Sequence, residues 1–169
     1  LVPSESWASC GKFLIAKGDI QVDVLKTKKN EKAKAGMEVC SGDTVSAGVD
    51  SRAKITMAGG DELNISPESK LTIEQMDQNA DKNEKKVLLN VLYGKVRSSL
   101  KQKYDDKSAD GQTNTYQVKT KSAVAGVRGT DFLMGYSQTS QKSEVVTFSG
   151  KVDVGQAGPG GRIMNAVSV

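Results

Sequence analysis

Apolar and polar residues alternate with a period of two along most of the chain, in short runs bounded by Gly, Pro, Asn and Asp. Ile20, Val22 and Val24 enclose Gln21 and Asp23, while Ala53, Ile55 and Met57 enclose Lys54 and Thr56. Leu63 and Ile65 follow Gly59-Gly60-Asp61, and Leu71 and Ile73 follow Ser66-Pro67-Glu68-Ser69. Successive strand residues point to opposite faces, so the pattern predicts antiparallel strands with one buried and one wet face. Tyr116 with Val118, then Phe132, Met134 and Tyr136, then Val145 with Thr147, then Val152 with Val154 continue the series. Strands are expected over 11–25 at the N-terminal end and a last edge strand over 162–169, after the turn Gly158-Pro159-Gly160-Gly161. The one nearly continuous apolar run, Val87 to Tyr93, predicts a strand buried on both faces near the centre of the core.

No window carries apolar residues at helical spacing. The expected fold is therefore all-β: a compact roll or sandwich of about ten or more short, mostly antiparallel strands. The rhythm of about eight residues across 53–73 leaves a β-solenoid-like stack as the alternative. Segments 26–36, 77–86 and 101–114 are rich in Lys, Asp, Asn, Ser or Gly and read as long loops. Tyr93-Gly94-Lys95-Val96 is echoed by Ser149-Gly150-Lys151-Val152, either as two half-motifs of a roll or by coincidence.

A length of 169 residues fits one domain, 1–169, and aromatic residues at 5% leave the core to Val, Ile, Leu and Met. The chain has no histidine, which removes Ser-His and Cys-His nucleophiles and nearly every zinc-hydrolase ligand set. No catalytic residue, metal site or cofactor site is expected. The acid pairs that could be drawn, Asp19 with Asp43 and Asp131 with Glu144, fall at turns or exposed strand faces and read as capping and surface charge. The net charge is +4, with lysines clustered at 26–34 and 82–86 in stretches without apolar periodicity. No aromatic residues interleave with them, so nucleic acid is not an expected partner. No stretch approaches the length of a membrane span.

The sequence opens on Leu1, as it would after removal of a secretory signal or after trimming. Cys10 and Cys40 lie beside Gly-containing turns; an even count in an exported chain favours a disulfide, two buried thiols being the alternative.

The most unusual string is Ser122-Ala123-Val124-Ala125-Gly126-Val127-Arg128-Gly129-Thr130-Asp131-Phe132. Its small residues allow close backbone approach, and its glycines allow a tight turn. Arg128 could pair with Asp131, donate to turn carbonyls, or face a partner's carboxylate or strand edge. Ala125 to Phe132 resembles the signature of the FecR domain, a bacterial envelope module. Gly42-Asp43-Thr44-Val45 with Gly48-Val49-Asp50-Ser51-Arg52-Ala53, then Gly60-Asp61-Glu62-Leu63, Ser69-Lys70-Leu71, Gly94-Lys95-Val96-Arg97 and Gly150-Lys151-Val152 resemble its other blocks, in order. The resemblance spans about 37–154. It implies a periplasmic or otherwise exported protein that binds an envelope protein partner, with Gly126, Val127, Arg128, Gly129, Thr130, Asp131 and Phe132 as a structural or partner-contacting turn. FecR-type transducers add a cytoplasmic anti-sigma region and a membrane span, and their partner is the signalling domain of a TonB-dependent receptor. The sequence shows neither flanking part, so a free-standing interaction or scaffold module is the first expectation, ahead of a transducer segment and of a cell-wall or glycan binder.

Overall fold

The computed structural model describes residues 10–79, 81–104, 107–159 and 163–169. In chain order the strands are β1 (Cys10–Lys17), β2 (Ile20–Val24), β3 (Lys29–Lys32), β4 (Glu38–Cys40), β5 (Thr44–Ala47), β6 (Arg52–Thr56), β7 (Glu62–Ile65) and β8 (Ser69–Asn79). There follow β9 (Glu84–Ser99), β10 (Thr115–Lys119), β11 (Val124–Val127), β12 (Asp131–Ser137), β13 (Lys142–Ser149), β14 (Val152–Ala157) and β15 (Ile163–Ser168). A 3-10 turn at Ala58–Gly60 stands between β6 and β7. The chain is all-β, and its strands form one mixed sheet that does not close on itself.

The sheet has two arms that share β9. One arm runs β3-β2-β5-β8-β9-β10-β11-β14-β15 and the other β4-β1-β6-β7-β9-β12-β13. Every strand pairing among the described residues is antiparallel except β10 on β9. The first half of β9 pairs with β8 and β10, and from Gly94 onward it pairs with β12 and then β7. Gly94 adopts φ 82°, and a Cβ placed there would sit 2.5 Å from Ser69 Cα. Only glycine combines that backbone with that approach, so the change of arm is written at this residue.

Alternate residues of both arms fill one core. Phe13, Ile55, Leu63 and Met134 from one arm and Ile20, Val45, Leu71, Leu89 and Tyr116 from the other belong to a single buried cluster. The rings of Tyr116 and Phe132 meet edge to face across it at 6.4 Å.

Several expectations need correction. The run Val87 to Tyr93 is central but not buried on both faces: Val87, Leu89 and Val91 are buried while Leu92 is 37% exposed. The eight-residue rhythm builds the antiparallel hairpin β6–β7 and a crossing to β8, not the parallel rungs of a solenoid-like stack. Segment 26–36 contains β3, and 77–86 is no loop: β8 and β9 pair through Asn79 and Glu84. The strand expected over 162–169 is β15, while Gly160, Gly161 and Arg162 lie outside the described residues.

Candidate functional site

The signature string spans the crossing between the arms. Val124 to Val127 form β11 in one arm, and Asp131 and Phe132 open β12 in the other. Val127, Thr130 and Phe132 are buried, which anchors the turn on three sides. Gly129 adopts φ 118°, and the carbonyls of Arg128 and Thr130 accept from the N–H groups of Tyr104 and Leu100 at 3.4 and 3.0 Å. Gly126 lies under Ile163, whose Cδ1 would be 2.6 Å from an added Cβ. The turn is therefore held by backbone bonds and close packing, as its small residues suggest.

Arg128 and Asp131 do not pair with each other. Asp131 accepts two hydrogen bonds from Arg97, at 2.7 Å from Nε and 2.6 Å from Nη2, and a third from Ser99 Oγ at 3.3 Å. Asp131 stands opposite Ser99 in the β12–β9 register, so the outward face of β9 brings Arg97 to it. Arg128 remains in the turn with two thirds of its side chain exposed, its Nη2 3.9 Å from Asp153 Oδ2. The Arg97 hydrogen bonds hold the Asp131 carboxyl below the usual carboxylate range, against a smaller opposing effect of burial. Arg97 also stacks on the ring of Phe148, 4.3 Å from its centroid.

This cluster borders an open strand. β13 pairs with β12 and, among the described residues, with no other strand. Its outward face carries Val146 and Phe148, 37% and 54% exposed, beside Glu144, which pairs with Lys95 at 3.2 Å. Exposed apolar side chains along an unpaired edge are the ingredients of strand addition.

Beneath the turn lies a buried polar network that sequence reasoning missed. Asp61 is fully buried and accepts from the backbone N–H groups of Lys101 and Gln102, from Gln102 Nε2 and from the Tyr104 hydroxyl. Tyr104 packs edge to face on Tyr116 at 5.2 Å, and the Tyr116 hydroxyl donates to Ser98 at 2.8 Å. Burial first, and then the Asp61 carboxylate, push both phenols up. Asp43 repeats the device, accepting from Leu25 and Cys40 N–H groups at 2.9 and 2.8 Å. A partial signal was the Gly-Asp step at Gly42-Asp43 and Gly60-Asp61, each just before a strand, although Gly18-Asp19 makes the same step before β2 with an exposed carboxylate. Capping was the right role for Asp43, but it is not a surface charge.

The two acid pairs drawn from sequence are not assembled into a site. Asp19 accepts from Gln21 whereas Asp43 caps its own turn, and Glu144 pairs with Lys95 whereas Asp131 pairs with Arg97. Cys10 and Cys40 are opposite residues of β1 and β4, with Cα atoms 3.9 Å apart and their sulfurs joined. Glu38 lies beside them, but bonded sulfurs offer no thiolate to a metal.

A family model described as FecR protein matches residues 43–153. The chain belongs to the FecR family. The match takes in parts of both arms, the signature turn, the Arg97–Asp131 pair and both cap carboxylates, Asp43 and Asp61. No curated protein and no solved structure matches the chain. The FecR family is a signalling and regulatory family rather than an enzyme family.

Proposed function

We propose that this FecR-family chain is a non-enzymatic, exported envelope protein of one domain that binds another protein by strand addition at β13. The observation that carries the reading is the unpaired β13 edge with Val146 and Phe148 exposed beside the signature pair Arg97–Asp131. An incoming strand would take its affinity from backbone hydrogen bonds and its selectivity from alternate side chains. The signature turn acts at one remove: Asp131 orients Arg97, and Arg97 holds the Phe148 ring on the outward face. The disulfide suits an oxidising compartment outside the cytoplasm.

The test is photo-cross-linking in living cells from positions 146 and 148, with position 50 in an exposed turn as control, followed by recovery of the chain. We expect one dominant protein adduct from β13 and none from the control. If that adduct is a TonB-dependent receptor's signalling domain, the protein works as a transducer segment. Absence of a protein adduct from both β13 positions, with co-sedimentation on purified cell wall, would replace the reading with that of a wall binder.

A further inference from the structure

A second feature lies where β9 changes arm. Along one edge β9 pairs with β10 as far as Asn90 and with β12 only from Gly94. Among the described residues, Val91, Leu92 and Tyr93 therefore have no strand partner on that edge. The register with β8 also slips here: Lys70 stands opposite Tyr93 and Leu71 opposite Val91, which makes Leu92 the extra residue of a bulge. On the far side, Thr120 just beyond β10 meets Ser143 of β13 through their hydroxyls at 2.5 Å, so the gap is bridged below and open above.

The gap is a cleft of about 780 Å³ whose walls include Lys70, Tyr93, Lys119, Lys121, Tyr136 and Gln138. That volume lies within the range of ligand-binding clefts. Among the described residues no Asp or Glu lines it. Glu74, outside the lining, pairs with Lys119 at 2.8 Å and accepts from Asn90 at 3.0 Å. Among the described residues neither Lys70 nor Lys121 has an ion-pair partner. A cleft with two uncompensated ammonium groups and no acid selects a negative ligand.

The backbone decides the class of ligand. Alternate strand residues turn their N–H and C=O groups to opposite edges. The stretch Val91–Tyr93 thus offers the gap one or two residues' backbone groups, a short ladder that an extended peptide can join. A sugar acid could use the lysines but has no run of alternating N–H and C=O groups to continue that edge. We propose that this seam cleft binds an extended acidic polypeptide segment, its backbone bonding to Val91–Tyr93 and its carboxylates meeting Lys70 and Lys121. The inference shares with the function proposed above only that the ligand is a protein, and it concerns a different face from the open edge of β13.

The experiment is an amide NMR titration of the full chain with a blocked hexapeptide alternating valine and glutamate. A valine–lysine hexapeptide and a trimer of galacturonic acid serve as comparisons. We expect saturable shifts at residues 70, 90–93 and 119–121 with the acidic peptide alone, weakened by added salt. Reversing charge in Lys70→Glu/Lys121→Glu should lower affinity about tenfold or more. Lys121→Glu alone, at an exposed position, gives a milder variant whose spectrum also reports the fold. The proposal is overturned by absence of shifts at these residues, by equal binding of the lysine peptide, or by binding of the uronate alone. Shifts confined to β13 would overturn it while leaving strand addition standing, and loss of the β13 cross-links leaves the titration unaffected.

Discussion

Asp61 is the acceptor for four donors in a place that water does not reach, and it ties the chain after β9 to the β6–β7 hairpin. Removing it strands those donors, each of which costs roughly 1–3 kcal/mol when left buried and unpaired. Asp61→Ala should therefore lower stability in urea unfolding by about 3–5 kcal/mol, and Tyr104→Phe, which deletes one donor, by about 1 kcal/mol. Equal effects for the two would show that the network is not centred on the carboxylate. Asp131 is different in kind, because it is only partly buried and its charge is what matters. Its carboxyl in the folded protein lies below its unfolded value, so its contribution is present above about pH 4 and is lost as pH falls through the lower folded value. The stability gap between the parent and Asp131→Asn should thus narrow as pH is lowered from about 5 to about 2. A gap that stays constant would assign the loss to packing rather than to the ion pair.

At the scale of elements, the two Gly-Lys-Val steps are structural counterparts. Gly94 and Gly150 adopt φ 82° and 81°, and each presses on a hydroxyl-bearing residue, Ser69 and Thr130 respectively. Gly111 has φ 77° with nothing within 4 Å of an added Cβ. Comparing alanine at these positions separates backbone strain from collision. Gly111→Ala should cost about 1 kcal/mol and Gly94→Ala about 3 kcal/mol or more, read from thermal or urea unfolding. Similar costs would mean that the close approach to Ser69 relaxes freely. Strands with an apolar face were legible because alternation is a direct record of burial, as in β2, β6 and β12. β3 was not, since all four of its residues are exposed. The β8–β9 tip was hidden for the opposite reason: its buried face is polar. Asn114 accepts from Lys85 N–H and donates to Asn83 O, and Gln78 Nε2 donates to the Tyr104 hydroxyl, so the 101–114 segment covers that tip with side-chain amides instead of apolar groups.

For the whole molecule, what stayed hidden is the pairing of distant segments. The signature string marked the place of the turn, but Arg97, the partner of Asp131, comes from 34 residues earlier through β9–β12 register. Cys10 and Cys40 illustrate the same point from the favourable side, because two cysteines allow one intramolecular pairing. Their meeting is prepared by the fold: β1 is paired to β6 along residues 12–17, and Asp43 fixes the turn after Cys40 by capping its N–H. The bond thus staples the outermost strand of one arm, β4, to β1, outside the stretch that the family model covers. Closing a loop of 30 residues stabilises by about 3–4 kcal/mol in the chain-entropy account. Cys10→Ser/Cys40→Ser should lose about that much while keeping the core of β8, β9 and β12 folded. Hydrogen exchange should show faster opening of β1 and β4, with β9 amides still the slowest to exchange. Alkylation without reductant should modify neither cysteine of the parent protein. Two modified thiols, or acceleration spread evenly over both arms in the serine variant, would contradict the view of an edge staple on an otherwise self-sufficient sheet.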